Sequence, residues 1–153
     1  MKGTKYNVNK NTVNRTFNDI VFDSAMEMKY YKEVILPQKK SGEISYFELQ
    51  KKYELQPKFV HNGENVQSIC YVADFFVIYA NGESEVIDVK GFPDSLALIK
   101  RKLFWYKYPN LKYRWVCWSK IDGGWNDYEL VKRKRLERKK AKSKDNEGDK
   151  KDD

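Results

Sequence analysis

Only two cysteines and one histidine occur in these 153 residues. Cys70 and Cys117 sit far apart inside apolar runs, with no Cys-x-x-Cys spacing, and His61 is the sole imidazole, so neither a structural zinc site nor a disulfide scaffold is expected. Two buried, reduced thiols suit an intracellular protein. Long apolar runs are also missing. No stretch approaches the roughly 18 residues needed to cross a bilayer, and Met1 to Lys10 has no apolar core of a signal peptide. A cytoplasmic location is the expectation, with no membrane contact and no small-molecule cofactor. No internal repeat is visible, and the length suits one folded domain.

Charge is abundant but uneven. The chain carries 30 Lys and Arg against 22 Asp and Glu, a formal +8. Between Lys132 and Lys144 there are nine basic residues and one acid, Glu137, so that segment alone accounts for +8. Such a run attracts polyanions through phosphate neutralisation and counterion release, and it equally suits a solvated tail. The expected division is a flexible arm or short edge element over residues 1–16, a folded domain over 17–128, and a charged, largely disordered tail over 129–153, where little apolar surface offsets the entropy of ordering.

Four prolines and eight glycines punctuate the chain. Asp23 or Ser24 caps a helix running from Ser24 to Leu36, with Ala25, Met28, Tyr31 and Ile35 at helical spacing and Pro37 as its stop. Tyr53 to Phe59 reads as a strand, Asn62-Gly63 as a turn, and Val66 to Tyr79 as a longer strand. After Ala80-Asn81-Gly82 the chain returns through Ser84 to Lys90. Asp94 or Ser95 then caps a helix whose apolar stripe is Leu96, Ile99, Leu103 and Tyr106, ended by Pro109. Tyr113 to Trp118, apolar on both faces, suits an inner strand. The order is α-β-β-β-α-β, an α/β (α+β) domain.

Two acids stand where strands rarely hold them: Asp74 in Tyr71-Val-Ala-Asp-Phe-Phe-Val-Ile-Tyr79, and Asp88 in Val86-Ile-Asp-Val-Lys90. Asp88 and Lys90 share a face, being two residues apart. Whether Asp74 joins them depends on the intervening turn. A two-residue Asn81-Gly82 turn would oppose Asp74 to Val89, on the wrong face. A three-residue Ala80-Asn81-Gly82 loop, with Gly82 left-handed, pairs Tyr79 with Glu83 and sets Asp74 opposite Asp88. The latter is the expected register. Like charges directly opposed on a sheet call for a cation, and magnesium is the natural candidate.

Asp74, thirteen intervening residues and Asp88-Val89-Lys90 resemble the Asp…(Asp/Glu)-x-Lys signature of PD-(D/E)XK nucleases. The element order resembles their restriction-endonuclease-like αβββαβ core, a mixed sheet flanked by helices. Phe22-Asp-Ser24, Glu27, Tyr53-Glu-Leu-Gln-Pro57, Tyr71-Val-Ala-Asp74 and Asp88-Val-Lys-Gly91 together are similar to a family of phage-encoded endonuclease-like proteins, over about Val21 to Trp118. Ser24-x-x-Glu27 is also similar to a segment of phage and archaeal Holliday-junction resolvases and of a transposon end-cleaving subunit. The resemblance implies a metal-dependent endodeoxyribonuclease in which Asp74, Asp88, the Val89 carbonyl and Glu27 hold Mg²⁺, with Mn²⁺ as a substitute. Lys90 then stands beside the attacking water, and the product carries a 5′-phosphate. The second acid is Asp88 where the family more often has Glu, one methylene longer.

Several residues have a second reading. Ser24-x-x-Glu27 is also a capping box. Gln56 before Pro57 suits a strand end, and His61 a solvated turn. Lys100, Arg101 and Lys102 fit either phosphate contacts or the wet face of a helix, and Lys132, Arg133, Lys134 and Arg135 are the leading DNA contacts of the basic run. Trp105, Tyr106, Tyr108, Trp115 and Trp118 read as core, and Trp125 as a partner contact. The expected substrate is branched or duplex DNA, with a Holliday-junction or other structure-selective role in DNA recombination and a homodimer that cuts two strands. The alternatives are a non-catalytic DNA- or partner-binding protein on this fold, and a restriction or transposon-end nuclease that needs a partner subunit.

Overall fold

A computed structural model describes residues 12–148. Of the expected N-terminal arm, residues 1–11 lie outside that range. The remainder is a 3₁₀ turn, Thr12–Arg15, leading into the hairpin β1 (Thr16–Phe17) and β2 (Ile20–Val21). Its partial order comes from the Arg15 guanidinium, which donates to the Phe22 carbonyl.

The first helix starts where expected and overruns Pro37. Ser24 caps α1 (Ala25–Tyr30), a π-helical turn follows over Tyr31–Ile35, and α2 (Leu36–Ser41) carries Pro37 in its first turn. Proline lacks an N–H and its ring crowds the carbonyl four residues back. Widening the preceding turn, with the Leu36 amide reaching back to the Tyr31 carbonyl, accommodates both defects. Gly42, at φ 85°, ends the helix instead.

The strands are β3 (Ile44–Gln56), β4 (Phe59–His61), β5 (Glu64–Val66), β6 (Ile69–Tyr79) and β7 (Ser84–Val89). After them come α3 (Ser95–Lys107), β8 (Lys112–Ser119), β9 (Gly124–Asp127) and α4 (Tyr128–Gly148). The main sheet runs β3-β6-β7-β8-β9, parallel only between β7 and β8. β4 and β5 form a separate hairpin around Asn62-Gly63, both at positive φ, with His61 exposed beside the turn. The chain is therefore a mixed five-stranded sheet flanked by helices, an α+β fold. β8 has a partner on each side, which explains its doubly apolar sequence.

Val86 and Ile87, adjacent on β7, point to opposite faces and mark the two layers. On one face Ile87, Phe75, Val77 and Val116 meet Tyr30, Tyr31 and Ile35 of the first helix. On the other, Val86 packs with Tyr53, Tyr71 and the fully buried Phe104 of α3.

Three expectations are corrected. Of the stripe Leu96, Ile99, Leu103 and Tyr106 only Leu103 packs on the core: Leu96, Ile99 and Tyr106 are exposed, while Phe104 is buried and Ala97 packs against Trp115 and Cys117. Trp125 is not a free partner contact but a member of β9, packed on Tyr30 and Trp118, its indole N–H donating to Glu33 at 2.8 Å. The stretch from residue 129 is not disordered as far as Gly148. It is the helix α4, because Tyr128 and Val131 are buried against Trp115 and Cys117 and because Lys, Arg, Glu and Ala are strong helix formers. Arg138 clamps Asp122 at 2.8 and 3.1 Å, tying a further turn down. Residues 149–153 lie outside the described range. Cys117 is buried as expected but Cys70 only half so, and both are free thiols. Among the described residues no helix is long and apolar enough to cross a membrane.

Candidate active site

The β6–β7 connection sets the site. The Tyr79 amide donates to the Glu83 carbonyl at 2.8 Å, the Gly82 amide closes back on Tyr79 at 2.9 Å, and Gly82 sits at φ 86°. This is the three-residue loop with a left-handed glycine. The ladder pairs Phe75 with Ile87 and Val77 with Glu85, so one step further Asp74 meets Asp88.

Asp74 lies at a point where its strand changes face. Phe75 and Val77 join the cluster under the first helix, yet Tyr71 and Ala73, of the same parity, join that under α3. The neighbouring strand switches at the same level, at Gln50, whose φ is 54°. Ladder pairing between β6 and β7 stops there, and the freed amides turn to the two acids. The Asp74 amide donates to Asp88 Oδ1 at 2.9 Å, and the Val89 amide donates to Asp74 Oδ2 at 2.8 Å. Each carboxylate thus satisfies a main-chain donor of the opposite strand, which holds it rigidly.

Asp88 is 1% exposed and Asp74 8%. Lys90 Nζ stands 3.2 Å from Asp88 Oδ2, which the Tyr113 hydroxyl also approaches at 3.4 Å. Glu27 reaches the same neighbourhood from α1. Its carboxyl is buried, meets the Ser24 hydroxyl at 3.2 Å, and leaves Oε2 buried without a hydrogen-bond partner. The capping geometry is present, because the Glu27 amide donates to Ser24 Oγ, so the glutamate serves the cap and faces the acids at once.

Burial and mutual repulsion dominate the protonation of this group. Burial first, then Asp23 and more weakly Asp88, push Glu27 up to about 7. Burial, then Asp88 and Glu27, hold Asp74 well above the usual carboxylate range. For Lys90, burial is the largest influence and acts downward, but Asp88 and Asp74 together carry its pKa above that of an ordinary lysine. A lysine so placed keeps its proton and serves as a cation and donor, not as a base.

A divalent cation would answer what the fold leaves open here: two buried carboxylates set against each other, Asp74 held well above the usual carboxylate range, and an orphaned buried glutamate oxygen. Carboxylate oxygens are the donors Mg²⁺ prefers, so the residues fit such an ion in kind. As the side chains stand, no three of the described His, Cys, Asp or Glu residues are drawn into a ready metal cluster.

Residues 3–122, most of the chain, match the family described as "Protein of unknown function (DUF1064)". The chain belongs to this family. No curated protein matches it. The span shared with the DUF1064 family contains Glu27, Asp74, Asp88, Lys90 and all of α3, and stops before β9 and the basic helix α4.

Around Asp88 and Lys90 this DUF1064 chain forms a cleft of about 270 Å³, walled by Tyr71, Tyr113, Trp115, Leu96 and Lys100. The aromatic wall escaped the sequence reading, which placed Trp115 only in the core. Parallel pairing of β8 with β7 sets Trp115 beside Asp88. Recognising α3 as a crossover between parallel neighbours was the signal that would have found it. The Tyr71 hydroxyl is buried without a hydrogen-bond partner, and burial followed by the Asp88 charge keeps it protonated far beyond the ordinary tyrosine range.

The cations proposed for DNA contact separate into two groups. Lys100 donates to the Cys70 carbonyl at 2.8 Å, and Arg101 pairs with Glu129 at 2.7 Å while lying 4.0 Å over the Trp115 ring. Arg135 donates to the Gly91 carbonyl at 2.8 Å and covers Phe92, and Lys134 approaches Asp122 at 3.7 Å. These four brace the structure. Lys102, Lys132 and Arg133 are exposed. Gln56 ends β3 opposite Ile69 and is not among the residues lining the cleft.

Proposed function

We propose that this chain is a divalent-metal-dependent DNA endonuclease of the PD-(D/E)XK type, acting in the cytoplasm on branched DNA as a homodimer. The observation that carries the reading is the opposition of Asp74 and Asp88 across β6 and β7 with the Lys90 ammonium 3.2 Å from Asp88. Asp74, Asp88, Glu27 and the Val89 carbonyl would hold Mg²⁺ or Mn²⁺, which supplies Lewis-acid polarisation of a scissile phosphate. Lys90, kept protonated by the two aspartates, orients the attacking water and offsets charge developing on the phosphate oxygens. Asp88 and Asp74 are each pinned through one oxygen by an amide of the facing strand, so the sheet fixes where they stand while side-chain movement would gather their second oxygens and Glu27 around an ion. The aromatic wall of the cleft flanks Lys90, with the Trp115 ring 5.9 Å from its ammonium. Exposed Lys102, Lys132 and Arg133 supply sequence-independent phosphate contacts.

The test incubates the full chain with Mg²⁺ and labelled four-way, duplex and single-stranded DNA, beside Asp88→Ala. Metal-dependent cleavage by the wild type, reduced roughly 10²-fold or more in the variant, is expected. Equal cutting by both proteins defeats the proposal. A second reading, a DNA-binding protein without turnover, draws on one observation: Asp74 Oδ2 and Asp88 Oδ1 already satisfy main-chain amides. Salt-sensitive binding of the same DNAs with no cleavage in either metal selects it.

A further inference from the structure

The donors that reach Asp88 differ in how firmly they are held. The Asp74 amide, on Oδ1 at 2.9 Å, is fixed by its strand. On Oδ2 stand Lys90 Nζ at 3.2 Å and the Tyr113 hydroxyl at 3.4 Å. Lys90 ends a flexible four-carbon stem and its side chain is 28% exposed, so it can withdraw. Tyr113 has no such freedom. Its ring centre lies 4.6 Å from that of the fully buried Phe104 and 5.4 Å from that of Tyr71.

The direction of the Tyr113 bond is settled one contact further back. Trp115 Nε1 approaches the Tyr113 oxygen at 2.6 Å, and an indole N–H only donates. The phenol oxygen therefore accepts from Trp115, which leaves the hydroxyl proton for Asp88 Oδ2. Trp115 is itself 5% exposed, with the Arg101 guanidinium 4.0 Å over its ring and Tyr128 packed edge-on at 5.6 Å. Tyr113 and Trp115 are two apart on β8 and share a face. Parallel pairing sets Trp115 beside Asp88 and Tyr113 beside Val86, two residues earlier, so β8 props the carboxylate from one side.

We infer that Tyr113, held by Trp115, is a positioning residue that fixes Asp88 Oδ2 when Lys90 withdraws, and so presets one ligand oxygen for a divalent ion. Asp88 is then the fixed point around which Asp74 and Glu27 gather. The inference rests on the metal reading of these three acids and assigns the prop to a residue outside the Asp…Asp-x-Lys pattern.

The experiment titrates the full chain with Mn²⁺ alone, without DNA, and reads the free ion by electron paramagnetic resonance, for wild type, Asp88→Ala, Tyr113→Phe and Tyr108→Phe. Tyr113→Phe keeps the ring and removes only the hydroxyl. Tyr108→Phe removes a hydroxyl from the same aromatic cluster, one that donates to the Glu54 carbonyl at 2.8 Å, and so controls for lost stability. Binding is measured below the melting transition of every protein. The expected result is saturable binding by wild type, none by Asp88→Ala, a dissociation constant raised roughly 10-fold or more in Tyr113→Phe, and no change in Tyr108→Phe. Tyr113→Phe binding as tightly as wild type, or Tyr108→Phe weakened as much, overturns the role of Tyr113 and leaves the metal site standing. A wild type that binds no Mn²⁺, or binds it no better than Asp88→Ala, overturns the metal reading and this inference with it.

Discussion

Replacing Glu27 by Gln should stabilise the metal-free protein at neutral pH. The Glu27 carboxyl titrates at about 7, against an ordinary value of 4.5. The folded state therefore binds this proton more tightly than the unfolded chain does. Its contribution to stability is fully present below 4.5 and is lost as pH rises to about 7. At 1.36 kcal/mol per pKa unit, the loss is on the order of 3 kcal/mol. Asp74, shifted in the same direction, adds to the fall. Glutamine is nearly isosteric, still accepts from the Ser24 hydroxyl, and never ionises. For a chain of this size about 3 kcal/mol corresponds to roughly 6–12 °C in melting temperature. Melting followed by circular dichroism in a chelator from pH 5 to pH 8 should show the wild type losing stability and Glu27→Gln losing markedly less, with the curves diverging up to about pH 7 and running parallel above it. Saturating Mg²⁺ should reverse the wild-type trend, because ligation favours the ionised acids. A wild type equally stable at both ends of that range, or a variant no more stable than wild type at pH 8, would refute the reasoning.

Two further outcomes follow from the fold. Gly82→Ala places a Cβ at φ 86° in the loop that sets the Asp74–Asp88 register, and should cost about 1 kcal/mol or more in denaturant unfolding, with cleavage falling alongside. Exchanging Lys102, Lys132 and Arg133, all exposed, for alanine should leave melting nearly unchanged and flatten the salt dependence of DNA binding by roughly 3 in log–log slope, as measured by fluorescence anisotropy.

The site was more legible than the helices around it. Loop length and the period of two decide which strand residues meet, so Ala80-Asn81-Gly82 narrowed the choice to two registers, and the expected three-residue loop is the one that forms. The face switch did not. It depends on Gln50 adopting a left-handed conformation that residues other than glycine adopt seldom, in a sequence otherwise written as plain strand. α3 misled because periodicity reports that a helix has an apolar side but not what that side meets. Its long residues Lys100 and Arg101 face inward, satisfied by a carbonyl and by Glu129, while leucine and isoleucine face out. α4 escaped for the opposite reason: composition described a solvated chain, but two apolar residues near its start, Tyr128 and Val131, were enough to seat it.

A helix seated at one end has a mechanical consequence. From Lys139 to Asp145 the α4 side chains are exposed, and among the described residues the last ion pair that fastens the helix is Arg138 with Asp122. The outlying positive charge therefore sits on a cantilever whose direction is set at its root. Losing that clamp would leave the charge count unchanged while freeing the beam to swing, so the same lysines would no longer point in one direction from the sheet.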